Sequence, residues 1–217
     1  MCDKINESRF IKVCDNHSDI CMVRLPDTWW SRRYEYPWAM EFVDRGDICL
    51  DAACGIEHPF KFWLAENCKQ VNCLDADNRI LNRSEVLSLA RENCTREEYN
   101  KIEEISNKID FKCGDITATG YPNKYFDKVF CISVLEHLPA NSMFRAIKEF
   151  SRILKDDGKL ILTFDYPSVD FLQLTTVMEQ AGMRFLGEAD FDLNDDILVS
   201  KVYEGVKCVR AVLIKNQ

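Results

Sequence analysis

Ile48-Cys49-Leu50-Asp51-Ala52-Ala53-Cys54-Gly55 is the stretch of this 217-residue chain that decides its fold. The apolar residues predict a buried strand, Asp51 lies at its end, and the small residues predict a loop that leads into a helix. A second predicted strand, Val71–Asp75, also ends in an acidic residue, 20 residues after Gly55. A strand–loop–helix–strand unit of this kind binds nucleosides, because the loop admits the ligand and the carboxylate holds the ribose hydroxyls. A nucleoside cofactor is therefore expected at this loop.

Strands and helices alternate after residue 45, which predicts an α/β fold with a parallel sheet and helices on both faces. The predicted strands are Ile48–Asp51, Val71–Asp75, Ile109–Cys113, Lys128–Ser133 and Lys159–Phe164. The predicted helices are Phe60–Asn67, Ile80–Asn107 with a break near Cys94, Ala140–Leu154 and Asp170–Ala181. Two more strands, Arg184–Phe191 and Val206–Lys215, have no crossover helix between them and are expected to pair antiparallel at one edge. The predicted sheet is then seven-stranded and mostly parallel.

Composition limits the classes of function. A net charge of −8 and a pI near 5.0 argue against nucleic acid as an obligate partner, because phosphate binding needs a basic surface. No apolar run is long enough to predict a membrane span. The eleven cysteines include no Cys-x-x-Cys pair, and the polar start of the chain does not resemble a secretory signal. The cysteines are therefore expected to be reduced in the cytoplasm, without a structural zinc ion.

The loop after the first strand also discriminates between nucleoside cofactors. A dinucleotide site needs Gly-x-Gly-x-x-Gly, because the pyrophosphate must meet bare backbone amides at the start of a helix. Here Gly55 stands alone, and the Glu57 carboxylate would repel a pyrophosphate. A nicotinamide-dependent enzyme is therefore disfavoured. A cofactor with a charged amino-acid tail and no phosphate, such as S-adenosylmethionine, is compatible with the loop.

Five segments together resemble the class I S-adenosylmethionine-dependent methyltransferases, in particular the type 11 branch that acts on small molecules. The segments are Leu50–Gly55, Leu74–Asp77, Lys112–Ile116, Phe126–Leu138 and Ile153–Leu162, in the order and spacing of that family's motifs. The resemblance covers residues 46–217, and it implies a Rossmann-like methyltransferase fold with S-adenosylmethionine as the cofactor.

The resemblance also implies which residues contact the cofactor. Asp75 holds the ribose, Asp115 meets the adenine amino group, and Ile116 lines the ring. The full set is Asp51, Ala53, Cys54, Gly55, Asp75, Ala76, Asp115, Ile116 and Cys131, with Arg33 added from the N-terminal segment. The family usually has glycine at the positions of Ala53 and Glu57. Because a positive φ costs a non-glycine residue about 1–2 kcal/mol, neither residue is expected to be left-handed.

His137 is the first candidate for a catalytic base, because it closely follows the fourth predicted strand and imidazole accepts protons near neutral pH. Glu136 is the second candidate. Each residue also has a structural interpretation, as one that organises the loop before the next helix. Methyltransferases that bind a divalent metal usually carry another carboxylate three residues before the glutamate, where this chain has Ser133, so no metal is expected.

The first 45 residues lack the strand–helix alternation and are predicted to form a helical cap or lid beside a methyltransferase domain at residues 46–217. They contain three of the four tryptophans, all within Trp29–Trp38. This aromatic segment is either a lid over the pocket or an amphipathic helix docked by its aromatic residues. As a lid, it would bring the Arg33 guanidinium to the cofactor carboxylate, to which it could donate two parallel hydrogen bonds. It would also bring Tyr34 or Tyr36 to the acceptor.

The predicted function is methyl transfer to a small-molecule acceptor, such as a sugar or a secondary metabolite. The short N-terminal segment leaves little surface for recognising a macromolecule. The alternative is a non-catalytic protein of the same fold that serves as a binding or partner subunit. The altered loop favours this alternative, whereas Asp75, Asp115 and the Glu136–His137 pair disfavour it.

Overall fold

All five strands predicted in the alternating part of the chain form, and they pair side by side in parallel. The computed structural model describes residues 5–216. The strands are β1 Ser8–Phe10, β2 Ile20–Cys21, β3 Val23–Arg24, β4 Ile48–Ala52, β5 Gln70–Asp75, β6 Ile109–Cys113, β7 Phe126–Ile132, β8 Leu154–Tyr166, β9 Met183–Phe185, β10 Ala189–Asp190 and β11 Lys207–Lys215.

The helices also lie close to where their apolar periodicity predicts them. They are α1 Arg32–Met40, α2 Phe60–Asn67, α3 Arg83–Val86, α4 Ser88–Asn93, α5 Arg96–Ser106, α6 Ala140–Ile153 and α7 Phe171–Gln180. The predicted break near Cys94 is confirmed, because α4 ends there and Thr95 caps α5 through a capping box with Glu98. Within residues 5–216, no helix has the length and apolar character needed to cross a bilayer.

The central sheet has the order β10-β1-β11-β8-β7-β4-β5-β6, and β9 pairs separately with β11. The strands β4 to β8 are parallel, whereas β11 runs antiparallel to β8, β1 and β9. The predicted α/β class and the antiparallel C-terminal edge are therefore confirmed. Over the residues that the structure describes, the sheet has nine strands rather than the predicted seven.

The two extra strands arise where the N-terminal segment joins the C-terminal edge. The predicted strand Arg184–Phe191 is divided into β9 and β10. β9 pairs with Leu213–Lys215, whereas Val209 and Arg210 pair with β1. Because one edge of β11 can bond only one strand at each position, β10 pairs with the far side of β1. The N-terminal segment, predicted as a helical cap or lid, therefore contains β1, β2 and β3 as well as the helix α1.

Both faces of the sheet are buried, because alternate residues of each strand point to opposite sides. Leu50, Val129 and Cys131 belong to one apolar cluster, which includes the inward residues of α6 and α7. Cys49 and Phe130 belong to the other cluster, which includes residues of α1, α2 and α5. The sheet is thus held between two helical layers, and its upper edge, where the parallel strands end, remains open for a site.

Candidate active site

Three adjoining cavities lie at the edge of the sheet where β4, β5 and β7 end. The Asp75 cavity, about 380 Å³, also includes Gly55 and Asp77 in its wall. The Asp51 cavity, about 70 Å³, is lined by Arg32, Tyr36 and Ala53 among others. The Glu136 cavity, about 430 Å³, is lined by residues that include Trp30, His137 and Asp165. Because parallel strands bring their carboxyl ends to one edge, residues far apart in sequence meet here.

The loop after β4 departs from its sequence-based prediction at one residue. Ala53 has a φ of 55°, so the prediction that it avoids the left-handed region was wrong. Gly55 is also left-handed, with a φ of 64°, and a Cβ there would clash with the His58 ring. Glu57 is not among the left-handed residues, as predicted. The loop therefore keeps a sharp turn at Ala53 at a conformational cost of about 1–2 kcal/mol.

Lys61 stabilises this loop through hydrogen bonds to its backbone. Its side chain is fully buried, and its ammonium group donates to the carbonyl oxygens of Gly55, Ile56 and His58 at 2.9, 3.2 and 2.5 Å. Hydrogen bonds from a charged donor are worth about 1.5–3 kcal/mol each. Together they are large enough to offset the strain at Ala53, which explains how the loop forms without the usual glycines.

Asp75 connects the end of β5 to the same loop. One carboxylate oxygen accepts a hydrogen bond from the Gly55 N–H at 2.8 Å, and the other accepts from the Asp77 N–H at 2.9 Å. Each carboxylate oxygen has two lone pairs, so both oxygens retain a site for a ligand hydroxyl. Asp77 itself forms an ion pair with Arg79 at 2.6 Å. The geometry therefore suits ribose binding by Asp75.

Asp51 and Arg32 both line the smallest of the three cavities. Asp51 is 4% exposed, and burial raises the pKa of its carboxyl to about 7, against the opposing effect of the Lys61 charge. This value also includes a smaller increase from the nearby Asp75 charge and a decrease from the Arg32 charge. A carboxyl and a guanidinium in one small cavity form a donor set that matches the ammonium and carboxylate of an amino acid.

His58 lines all three cavities, and two aromatic residues of the N-terminal segment hold it in place. Trp29 stacks on its ring with a centroid distance of 4.0 Å, and the Tyr36 hydroxyl lies 2.7 Å from Nδ1. Burial, together with the charges of Arg32 and Lys61, lowers the pKa of His58 well below its ordinary value. The imidazole is therefore neutral and contributes shape and hydrogen bonding rather than charge.

A buried network lies beneath the Glu136 cavity and centres on Glu35, which has no exposed surface. Arg32 Nη1 donates to Glu35 at 2.5 Å and to the Ser133 hydroxyl at 2.6 Å. Glu35 also accepts hydrogen bonds from the Ser133 hydroxyl at 2.7 Å and from the Cys208 thiol at 3.2 Å. Burial alone would raise the pKa of Glu35, but the Arg32 charge and hydrogen bonds from Thr163, Ser133 and Arg32 outweigh it, so its pKa is lowered.

Ser133 is itself an unusual residue in this network, because it is left-handed, with a φ of 48°. Its backbone N–H donates to both the carbonyl and the hydroxyl oxygen of Thr163, at 2.9 and 3.1 Å. Strained non-glycine residues are found where the surrounding structure requires them, often beside a functional site. Ser133 directly follows β7, and Glu136 in the cavity wall comes three residues later.

Glu136 is the buried acidic group of the largest of these three cavities. Both of its carboxylate oxygens are buried and have no hydrogen-bond partner within residues 5–216. One oxygen of Asp165, at the end of β8, has the same status. Burial, together with the neighbouring Asp165 and Glu35 charges, raises the pKa of Glu136 to about 8. Burial likewise raises the pKa of Asp165 to about 6.

The structure thus separates the two residues proposed as catalytic bases. Glu136 has a buried carboxyl in the cavity, whereas His137 is an exposed residue in its wall. Both stay predictions as catalytic residues.

Several of the predicted cofactor residues line these cavities, and others lie apart from them. Asp51, Ala53, Cys54, Gly55 and Asp75 all line the Asp51 or Asp75 cavities. The remaining ones lie outside the lining of these three cavities: Ala76, Asp115, Ile116, Cys131 and Arg33.

These remaining residues lie in different parts of the fold. Asp115 and Ile116 follow Gly114, whose N–H donates to the Asp75 carbonyl at 2.8 Å, so they lie beside the Asp75 cavity. Cys131 is fully buried inside β7. Arg33 forms ion pairs with Asp19 at 3.0 Å and Asp27 at 3.5 Å. The Arg33 side chain therefore points towards Asp19 and Asp27 of the N-terminal segment rather than towards the cleft.

Sequence reasoning missed Arg32, although a signal for it exists. Arg32, Tyr36 and Ala39 lie at positions i, i+4 and i+7 of α1, so they share one helix face, whereas Arg33 is rotated about 100° away. Asp165 was missed because its strand was expected to end at Phe164. Lys61 had no signal, since a lysine in the first turn of a helix is normally exposed.

The comparisons with known proteins agree with this fold. Residues 50–162 match the family of methyltransferase domains designated Methyltransf_11, and the chain belongs to that family. It is therefore an S-adenosylmethionine-dependent methyltransferase. No curated protein is significantly similar to the sequence.

Solved structures share the fold at low sequence identity. The cyclase SpnF has 18% identity and a TM-score of 0.62, over 86% of this chain and 83% of that one. A TehB-like S-adenosylmethionine-dependent methyltransferase from Corynebacterium glutamicum has 17% identity and a TM-score of 0.56, over 88% and 95%.

A third relative by structure is 1,6-didemethyltoxoflavin-N1-methyltransferase from Burkholderia thailandensis, solved with its substrate and S-adenosylhomocysteine bound. It has 11% identity and a TM-score of 0.59, over 88% of this chain and 82% of that one. At these identities the likeness extends to the fold, and a cyclase among the neighbours means that the fold alone does not set the reaction.

S-adenosylmethionine is the cofactor of this family, and the residues of the cleft fit it. Asp75 offers acceptors for the ribose hydroxyls. Asp51 and Arg32 match the ammonium and carboxylate groups of the methionine tail.

Proposed function

We propose that this enzyme methylates a small molecule that binds in the Glu136 cavity. The observation that carries the proposal is the cavity of about 430 Å³ beside the cofactor cavities, with the Glu136 carboxyl buried in it. Sites that bind small molecules are concave, mostly apolar and supplied with a few convergent polar groups. The acceptor class predicted from the sequence, a sugar or a secondary metabolite, has a size compatible with this volume.

Each side chain of the cleft has a proposed role in binding the cofactor. S-adenosylmethionine, when bound, supplies an electrophilic methyl group. Asp75 orients the ribose, while Asp51 and Arg32 hold the two charged groups of the tail. Lys61 acts through the loop as a positioning residue, because it bonds the carbonyls of Gly55, Ile56 and His58. Precise alignment contributes much of the rate, since positioning can supply about 7–11 kcal/mol.

Glu136 is the proposed general base. A group with a pKa near the working pH is the best compromise between being deprotonated and binding the proton well, and burial raises the pKa of Glu136 to about 8. Protonated acceptors need such a group before they can attack. His137 lies at the exposed part of the wall, where it is placed to pass the proton on to solvent.

The N-terminal segment is the proposed lid. Trp29 and Trp30 line the Glu136 cavity, while the buried Tyr36 and Trp38 attach α1 to the rest of the protein. Both sequence-based interpretations of the segment, a lid and a docked helix, therefore apply to different residues of it. Two tryptophans over the cavity would exclude water, which strengthens electrostatic interactions inside.

We also propose that the protein works in the cytoplasm without an obligate nucleic-acid partner. The ten cysteines within residues 5–216 are free thiols, which suits a reducing compartment. The net charge of −8 disfavours binding to phosphate backbones.

The test is an acceptor screen that measures release of S-adenosylhomocysteine. We expect turnover with members of a small-molecule panel and none with peptides, proteins or RNA. Glu136→Gln should lower turnover and leave cofactor affinity unchanged, whereas Asp75→Asn should lower cofactor affinity. Transfer to macromolecules alone would overturn the proposal.

A further inference from the structure

The Glu136 cavity has an imbalance of charge. The ionisable groups that line it, or lie directly beneath it, are Arg32, Glu35, His58, Glu136, the exposed His137, Asp165, Tyr203 and Cys208. Of these, burial keeps the His58 imidazole and the Cys208 thiol neutral, because it lowers the pKa of His58 and raises that of Cys208. Three of these groups are carboxyls and one is a guanidinium. The imbalance means that a bound ligand would meet excess negative charge whenever the carboxyls are ionised.

Nη1 of the single guanidinium is already committed, and its other donors are the ones proposed above to hold the cofactor carboxylate. Arg32 donates to Glu35 and to Ser133, and Glu35 is lined on its other side by the Cys208 thiol. The Arg32–Glu35 pair therefore neutralises itself inside the protein. Glu136 and Asp165 remain, and the buried oxygens of both have no hydrogen-bond partner among the residues that the structure describes.

Unpartnered carboxyl oxygens in a cavity are costly, because a buried polar group without a hydrogen bond loses its hydration and gains nothing in return. A ligand with N–H donors would satisfy them. An anionic ligand would add a like charge beside Asp165, and a neutral hydroxyl offers only a single donor. The chemistry that satisfies both carboxyls at once is an ammonium group, which has a positive charge and several donors.

The remaining walls favour the same kind of ligand. Trp29 and Trp30 line one side, and Tyr203 and Val206 line another. Aromatic faces attract cations through their π electrons and also bury the apolar body of a ligand. The cavity therefore combines an acidic end with an aromatic side, as expected of a site for an amine that carries an apolar group.

We propose that the acceptor is a primary or secondary amine, which binds as an ammonium cation between Glu136 and Asp165 with its apolar part against Trp30. This inference rests on the proposed function, since it names the acceptor of the same cavity. One proton passes from the ammonium nitrogen to the Glu136 carboxylate. The electron pair of the broken N–H bond stays on nitrogen as the lone pair that would form the new bond to the methyl carbon. The bond from that carbon to the cofactor sulfur would break, and its electron pair would stay on sulfur in the leaving S-adenosylhomocysteine.

Binding of a cation also has a signature that does not depend on catalysis. Burial raises the pKa of Glu136 to about 8, so in the free protein the carboxyl holds a proton at neutral pH. A cation beside it favours the ionised form, so binding should release this proton near pH 7. Asp165, with a pKa of about 6, is already mostly ionised at that pH and supplies the first attraction.

The test is calorimetry on the whole protein saturated with S-adenosylhomocysteine, with phenethylamine, phenethyl alcohol and phenylacetate as probes of equal size. We expect phenethylamine to bind at least about tenfold more tightly than the alcohol, and phenylacetate to bind most weakly. Titration in two buffers of different ionisation enthalpy should reveal proton release with phenethylamine alone. Glu136→Gln and Asp165→Asn should each reduce the preference for the amine, whereas the exposed Glu92→Gln should preserve it.

Equal or tighter binding of the alcohol or the acid would overturn the inference, as would failure of all three probes to bind a protein that binds S-adenosylhomocysteine. These results differ from failure of the proposed function. If the acceptor screen finds a neutral small molecule methylated, the proposed function stands and the amine inference falls. If only macromolecules are methylated, both fall.

Discussion

Glu35 and Glu136 are two buried glutamates beside one cavity, yet their environments are opposite. Glu35 accepts hydrogen bonds from Arg32, Ser133 and Cys208, and the pKa of its carboxyl is lowered in spite of burial. Glu136 has buried oxygens without a partner within residues 5–216, and burial raises its pKa to about 8. Burial by itself therefore does not decide the charge of a carboxyl. The partners do, so the paired glutamate supports structure and the unpaired one is available for chemistry.

The largest expected effect comes from removing the partner of Glu35. Arg32→Met leaves Glu35 buried and unpaired, which should cost about 3–5 kcal/mol of unfolding free energy, or roughly 10 °C in Tm. The neighbouring Arg33→Met is the matched control, because its partners Asp19 and Asp27 are 56% and 89% exposed, so these ion pairs are worth about 0–1 kcal/mol. Thermal denaturation of both variants measures the difference. Equal Tm values would mean that Arg32 and Glu35 are not a structural pair.

A second experiment addresses the other glutamate through turnover. Glu136→Gln keeps the shape but removes the proton acceptor, so turnover should fall by about 10²-fold or more, with Tm unchanged or higher. His137→Ala should lower turnover less, because its side chain is exposed at the wall. Release of S-adenosylhomocysteine is measured for both variants, with cofactor affinity as the control. A larger loss with His137→Ala would reverse the two proposed roles.

The pH dependence of stability should also separate the two glutamates. Folded Glu136 keeps its proton up to about pH 8, whereas unfolded glutamate loses it near pH 4.3, so the folded state binds more protons between these values. Its contribution to the free energy of unfolding therefore falls as pH rises through this window. Glu35 acts in the opposite sense, because its lowered pKa gives a contribution that is lost as pH falls into the acid range.

Tm measured from about pH 5 to about pH 8 tests this sign. The wild type should lose stability relative to Glu136→Gln as the pH rises, and each kcal/mol corresponds to about 2–4 °C. Parallel curves for the two proteins would show that Glu136 does not titrate in this range.

The smallest expected effect concerns the two strained turns that flank the cleft. Ala53→Gly should raise stability by up to about 1 kcal/mol, because glycine removes the cost of a positive φ. Part of this gain is lost, since glycine also increases the conformational entropy of the unfolded chain. Ser133→Gly relieves the same strain but loses the hydroxyl that bonds Glu35 and Arg32, so it should lower stability. Urea denaturation compares the two variants. A gain of stability in Ser133→Gly would show that the hydroxyl contributes little.

Much of the fold followed from local patterns. The helix Phe60–Asn67 and the strand Ile109–Cys113 were predicted with the bounds that the structure has, because apolar periodicity and turn residues act over short distances. The C-terminal edge was only partly predicted. Whether residues 189–190 pair with β11 or with β1 depends on competition with Ser8–Phe10, which is almost the whole chain away.

The candidate site shows the same division. The acidic ends of β4 and β5, Asp51 and Asp75, could be assigned from sequence, because the end of a parallel strand is recognisable and faces the ligand edge. The left-handed Ala53 could not, since its strain is offset by Lys61, whose contacts exist only after folding.

The sequence by itself thus determines the family, the cofactor and the acidic strand ends, since these depend on motifs and periodicities a few residues long. Folding alone pairs Glu35 with Ser133, which follows β7, and with Cys208 of β11, both far from it in sequence. Its ion-pair partner Arg32 lies only three residues away in α1. Glu136 is left unpaired within residues 5–216. The stretch around Asp51 and Gly55 identifies what the protein binds. The charge of the cavity beside it, which we propose selects the acceptor, is a property of the assembled structure.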